Sequence, residues 1–192
     1  MKTLVLFTLL LPRLLMAADG PITPFLRESV LDIRPLFEGE RFPNIVVTTL
    51  GTLVATWGSE QMRVRRSEDG GNTWQGEILV ARQAFQGGGT TVDETSGDIL
   101  IFSESGHPPA PITVFRSRDD GQTWQSEKPK FLPDSQGNLP SMHMNEHGIS
   151  LQHGAHKGRL LRPSRFYGEG NRPDSIWYTH YTNAVYSDDG GL

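Results

Sequence analysis

Apolar residues along this chain come in short, β-branched or alternating runs, separated by turn residues, and almost none follow the 3.6-residue period of a surface helix. Residues 44–49 (Asn-Ile-Val-Val-Thr-Thr) predict a strand, Leu50-Gly51 a turn, and Thr52 to Trp57 a second strand. Residues 61–66 alternate, with Met62 and Val64 on one face and Arg63 and Arg65 on the other, the period of a half-buried strand. A tight turn at Asp69-Gly70-Gly71 then returns the chain as a fourth strand over residues 74–80. The same order recurs: Thr90-Thr91-Val92, a turn at Ser96-Gly97, residues 98–103, then 112–116. A third unit is read over residues 148–151, 159–163 and 184–186. Residues 131–146 and 166–181 are rich in Pro, Gly, Asn and Asp and read as loops.

Each unit carries one motif. Ser67-Glu68-Asp69-Gly70-Gly71-Asn72-Thr73-Trp74 recurs as Ser117-Arg118-Asp119-Asp120-Gly121-Gln122-Thr123-Trp124, and begins again at Ser187-Asp188-Asp189-Gly190-Gly191. An Asp in a tight turn accepts backbone N–H groups a few residues on. The glycines permit positive φ, the hydroxyls of Ser and Thr bond neighbouring groups, and the Trp buries apolar surface. The motif therefore reads as a structural staple between third and fourth strands. A Ca²⁺ site is the rival reading for its Asp pairs, but one loop supplies too few oxygen ligands. Four short strands followed by a repeat predict an all-β fold of propeller blades.

The first 18 residues differ in character. Lys2, an apolar run from Leu4 to Leu11, and the small pair Ala17-Ala18 read as a secretory signal peptide, which leaves residues 19–192 as the folded domain. The apolar run is shorter than the ~20 residues a membrane span needs, and no later segment could cross a bilayer, so no stable span is expected after cleavage. The 192-residue chain has no cysteine, so its fold must rest on packing and hydrogen bonds. With 18 basic against 22 acidic residues and no basic cluster, nucleic acid is not an expected partner. The expected location is secreted, periplasmic or extracellular.

The repeat is identified as the Asp box (BNR repeat), and its context resembles the sialidase superfamily. Glu40-Arg41-Phe42-Pro43, followed by Asn44 to Ala55, resembles the segment that opens the first inner strand of sialidases. His147 to Leu151, Gly158 to Pro163 and Tyr181 to Gly190 resemble later stretches of the same family, so the resemblance covers roughly residues 35–192. It implies a six-bladed β-propeller of sialidase type, of which this chain holds about two and a half to three blades. It also implies an exo-α-sialidase activity on a glycan or sialoglycoconjugate substrate. In that chemistry three Arg grip the substrate carboxylate, a Tyr activated by a Glu attacks the sugar, and an Asp is the acid/base.

Carried over position by position, Arg41 matches the first carboxylate-binding Arg, a role suited to a planar guanidinium fork. The acid/base Asp is expected where this chain has Gln61, which cannot donate a proton as an acid. Glu60 is a substitute only if a bulge re-aims it. Asp93-Glu94 is a further carboxylate pair, read as a solvated turn. Tyr167, Tyr178, Tyr181 and Tyr186 match no nucleophile pattern and read as packing residues, while Arg162, Arg165 and Arg172 could add positive charge to a pocket without triad roles. His143, His147, His153 and His156 crowd one stretch, but Zn²⁺ needs further converging ligands, so neither metal nor cofactor is expected. The structural Asp-box set is Ser67, Asp69, Gly71, Thr73, Trp74, Ser117, Asp119, Gly121, Thr123, Trp124, Ser187, Asp189 and Gly191. The leading reading is a sialidase-like glycoside hydrolase that is inactive as this chain alone. The alternatives are a non-catalytic glycan-binding propeller and a hydrolase of the same superfamily acting on another sugar.

Overall fold

The computed structural model describes residues 33–39, 42–85, 89–142, 146–168 and 179–191. The sheets belong to one compact unit that begins at Pro35. The leader, Glu40, Arg41, His143, Arg172 and Tyr178 lie outside the described residues.

All regular structure among the described residues is strand, apart from one helical-turn residue at Thr179, in three antiparallel meanders. The first sheet is β1 (Asn44–Val47), β2 (Leu53–Trp57), β3 (Met62–Ser67) and β4 (Ile78–Ala81) in that order. The second is β5 (Thr90–Val92), β6 (Ile99–Glu104), β7 (Ile112–Ser117) and β8 (Gln125–Glu127). The third is β9 (Ile149–Ser150), β10 (Leu160–Phe166) and β11 (Tyr181–Ser187), with β11 at its outer edge.

Strand boundaries differ from the sequence reading in two of the sheets. The fourth strand starts at Ile78 rather than Trp74, although Gln75 N–H bonds Arg66 O (2.8 Å) and Arg66 Nη1 bonds its side chain (2.7 Å). The third sheet extends into the stretch read as loop, to Phe166 and from Tyr181, whose paired rings lie 5.1 Å apart. Pro163 is tolerated within β10 because β9 pairs only as far as Leu160 and Leu161.

Side-chain alternation explains how the sheets stack. In β6, Ile99 and Ile101 join Val54, Met62 and Val64 in a core between the first two sheets, while Leu100 and Phe102 pack with Val114 and Leu160 between the second and third. The run Ile-Leu-Ile-Phe is apolar throughout because both of its faces are covered. The inner strands β5 and β9 lie side by side: Gly148 N–H donates to Thr90 O at 3.3 Å, Ser150 Oγ to Val92 O at 3.1 Å, and Glu94 N–H to Ser150 Oγ at 3.0 Å. Thr56 and Thr90 hydroxyls meet at 3.2 Å across the first junction.

The boxes have the hydrogen bonds their residue types require. Ser67 Oγ donates to Asp69 Oδ1 (2.8 Å) and accepts from Gly71 N–H (2.8 Å), while Asp69 accepts from Thr73 N–H and Oγ1 (2.8 and 2.6 Å). Ser117, Asp119, Gly121 and Thr123 repeat all four bonds. Ser187, Asp189 and Gly191 repeat the two bonds their residues allow. Bonds from Thr73 and Ser67 hold the Asp69 carboxyl at about 2, below its ordinary 3.8.

Candidate active site at the inner strand ends

In each sheet the start of the inner strand lies beside the hairpin that joins its second and third strands. Around these ends of the second and third sheets the chain gathers ionisable and aromatic side chains. Glu104 closes β6 and is almost fully buried, at 2% exposure. Its Oε1 accepts the Met142 N–H at 2.9 Å, and its Oε2 meets no hydrogen-bond donor among the described residues. Burial pushes this carboxyl above its ordinary 4.5; the bonds from Met142 and Ser141 and the charge of Arg162 pull the other way without cancelling it.

Arg162, on β10, is 3% exposed. Its guanidinium lies over the Phe102 ring at 4.8 Å, its Nε donates to Glu146 O at 3.2 Å, and Nη1 approaches Met142 Sδ. Burial lowers it to about 10, against the opposing charges of Glu146 and Glu104. A Cβ on Gly89 would lie 1.9 Å from both Arg162 Nη2 and Glu146 O, so a glycine at the mouth of β5 is what lets Arg162 reach this place.

Aromatic rings continue the cluster outward. His107 lies between Phe85 (5.8 Å) and Tyr167 (5.7 Å, edge-on), and Tyr167 packs on His180 at 4.8 Å. Arg165 lies over the Tyr167 ring at 5.3 Å, bonds its hydroxyl at 3.3 Å and sits 3.9 Å from Glu146. Burial raises the Tyr167 phenol, so it stays neutral. From the loop read over 131–146, Ser141 N–H bonds Arg165 O at 2.7 Å.

This arrangement can do two things chemically. A buried carboxyl biased toward its protonated form is suited to proton donation. Arg165, only partly buried, offers a cation to an acidic ligand.

The residues singled out from sequence are distributed differently. Gln61 accepts a bond from Arg63 Nη2 at 2.6 Å, and Arg63 in turn lies over Trp57 at 5.8 Å and pairs with Glu77. Glu60 is exposed, and the bulge in this sheet falls past it, between Met62 and Arg63. Asp93 is not a solvated turn residue: it is 5% exposed and caps its turn by accepting Thr95 N–H at 2.9 Å. His147, His153 and His156 are all exposed. Sequence reasoning missed Glu104, His107 and His180. The available signal for Glu104 was an acidic residue ending an otherwise uninterrupted buried strand.

A sialidase from Micromonospora viridifaciens is 27% identical to this chain over 81% of the chain. The chain is related to the sialidase superfamily across this part of its length. It spans 28% of that relative's own length. Among solved structures, a Hadza microbial sialidase matches 79% of this chain and 35% of its own, with a TM-score of 0.57 and 22% identity. A GH43 β-1,3-galactosidase solved with galactodeoxynojirimycin matches 80% of this chain and 44% of its own, at TM-score 0.53 and 13% identity. These two likenesses concern the fold alone. No family model matches the chain. No helix among the described residues is long and apolar enough to cross a membrane.

Proposed function

We propose that the chain forms part of a secreted, sialidase-like glycoside hydrolase that removes terminal sialic acid from glycoconjugates. The observation that carries this reading is the buried Glu104 carboxyl beside Arg162, with Arg165 further along the same β10 strand, in a relative of the sialidases. Glu104 takes the proton-donating role that Gln61 cannot fill. Arg165, together with Arg41 by its resemblance, receives the substrate carboxylate. Arg162 positions the site by holding the Glu146 carbonyl and the Met142 side chain. A six-bladed ring supplies the remaining groups, so the 192-residue chain alone does not turn over substrate.

A panel of fluorogenic aryl glycosides, offered to the complete product of the reading frame containing this chain, tests the proposal. Phenol release from the α-sialoside and not from neutral glycosides supports it. Release only from a galactoside or glucoside reassigns the sugar. Absence of turnover together with glycan binding favours the second reading, a non-catalytic lectin-like propeller, whose own support is Gln61 at the expected acid position.

A further inference from the structure

Glu146 meets both arginines of β10, in two different ways. Its backbone carbonyl accepts Arg162 Nε at 3.2 Å, which fixes the main chain there. Its carboxylate stands 3.9 Å from Arg165 Nη2, and 40% of its side chain is exposed. That separation is too long for a hydrogen bond. The arginines that fasten the boxes and hairpins close fully on their carboxylates: Arg66 on Asp120 at 2.8 Å, Arg116 on Glu127 at 2.8 Å and Arg159 on Asp188 at 2.7 Å. A partly exposed pair held as loosely as Arg165 and Glu146 contributes little to stability.

Arg165 has other supports. Its guanidinium lies over the Tyr167 ring at 5.3 Å and bonds the Tyr167 hydroxyl at 3.3 Å, and its backbone carbonyl accepts the Ser141 N–H at 2.7 Å. Neutral groups therefore hold the cation in place whichever way the Glu146 side chain turns. A fixed guanidinium facing a loosely held carboxylate can exchange that carboxylate for another. One side chain has to swing, and the backbone anchored on Arg162 stays where it is. Until it swings, an acidic ligand meets the Glu146 charge as well as that of Arg165, and like charges brought together oppose binding.

We propose that Glu146 is a specificity-determining residue, an internal competitor that occupies Arg165 and is displaced by the carboxylate of an acidic sugar. The proposal rests on the reading of Arg165 as a receiver of the substrate carboxylate, and adds what sets the affinity of that contact. A neutral sugar has no group with which to displace Glu146, so Arg165 stays closed to it. An acidic sugar displaces Glu146 at a cost in affinity.

The test measures binding apart from turnover, in the complete product of the reading frame and its Glu146→Gln variant. The probes are N-acetylneuraminic acid and its uncharged methyl ester, titrated by calorimetry. Glu146→Gln is expected to bind the acid about 3- to 10-fold more tightly and the ester unchanged, with the gain shrinking as ionic strength rises. The gain is expected to vanish when Arg165→Gln is present in both proteins, since no cation is then contested. A gain that persists without Arg165 is general repulsion and overturns the proposal. Equal or weaker binding of the acid by Glu146→Gln, equal tightening of the ester, or no binding of the acid by either protein also overturns it. Failure of the catalytic reading shows separately, as binding that follows the expected pattern in a protein that releases no phenol from an aryl α-sialoside.

Discussion

Arg66 on β3 donates its Nε–H to the backbone carbonyl of Asp120 at 2.7 Å, and Arg116 on β7 donates from Nη2 to the carbonyl of Gly190 at 2.9 Å. Each Arg stands one residue before the Ser of its own box, and each carbonyl belongs to the residue before the last Gly of the next. The boxes are therefore staples of two kinds. Ser and Asp close the turn locally, and the preceding Arg fastens the next turn to the sheet before it.

Removing that fastening is costly. Arg66 is 4% exposed and also pairs with Asp120 Oδ2 at 2.8 Å. Arg66→Ala removes the cation from a largely buried carboxylate that keeps its bond from Thr52 (2.6 Å), and is expected to lose about 1.5–3 kcal/mol. Arg66→Lys recovers only part of this, because an ammonium cannot make the forked contact. Urea unfolding midpoints of the three proteins check the order.

The box carboxylates set acid lability. Asp69 is held at about 2 against an ordinary 3.8, so its folded pKa is depressed. The stability it contributes is fully present above the ordinary value and is lost as pH falls through about 2. Asp119 is lowered in the same direction, by bonds from Thr123 and Ser117 that outweigh its burial. Melting temperatures of the chain and its Asp69→Ala variant are expected to differ at pH 5 and to converge as the pH drops toward 2.

Close approach, not turn geometry, demands the glycine at position 89. Gly89→Ala forces its Cβ into Arg162 and the Glu146 carbonyl, and is expected to cost about 1–3 kcal/mol. Gly76→Ala, where a Cβ meets nothing within 4 Å, is the control and is expected to be neutral or slightly stabilising. Chemical denaturation of both variants distinguishes a local clash from a general intolerance of alanine.

Glu104 has the opposite pH sense to Asp69. Its carboxyl is raised by burial, so its contribution is fully present below the ordinary 4.5 and is lost as pH rises through the higher folded value. Glu104→Gln keeps the shape and removes the titration. The variant is expected to show a flatter decline in melting temperature than the parent as pH increases from 4 to 8.

Sheet order and strand type were legible in the sequence because alternation and turn residues act locally. Met62 and Val64 turned inward and Arg63 and Arg65 outward, as their spacing predicted. The site was less legible, since its residues converge from β6, β10 and two loops far apart in sequence. Resemblance pointed to Gln61, whereas the proposed proton donor, Glu104, is distinguished by a burial that only tertiary packing produces. Asp93 illustrates the same limit: its turn was foreseen, but its burial follows from the neighbouring sheet.

Hydrolysis of an aryl α-sialoside tests the central claim most directly, comparing the complete product of the reading frame with its Glu104→Gln variant across the pH range. Turnover by the parent is expected, with a loss of at least ~100-fold in the variant and the limb of the pH profile governed by the proton donor abolished. Undiminished turnover in Glu104→Gln, or no turnover by the parent on any sialoside, contradicts it.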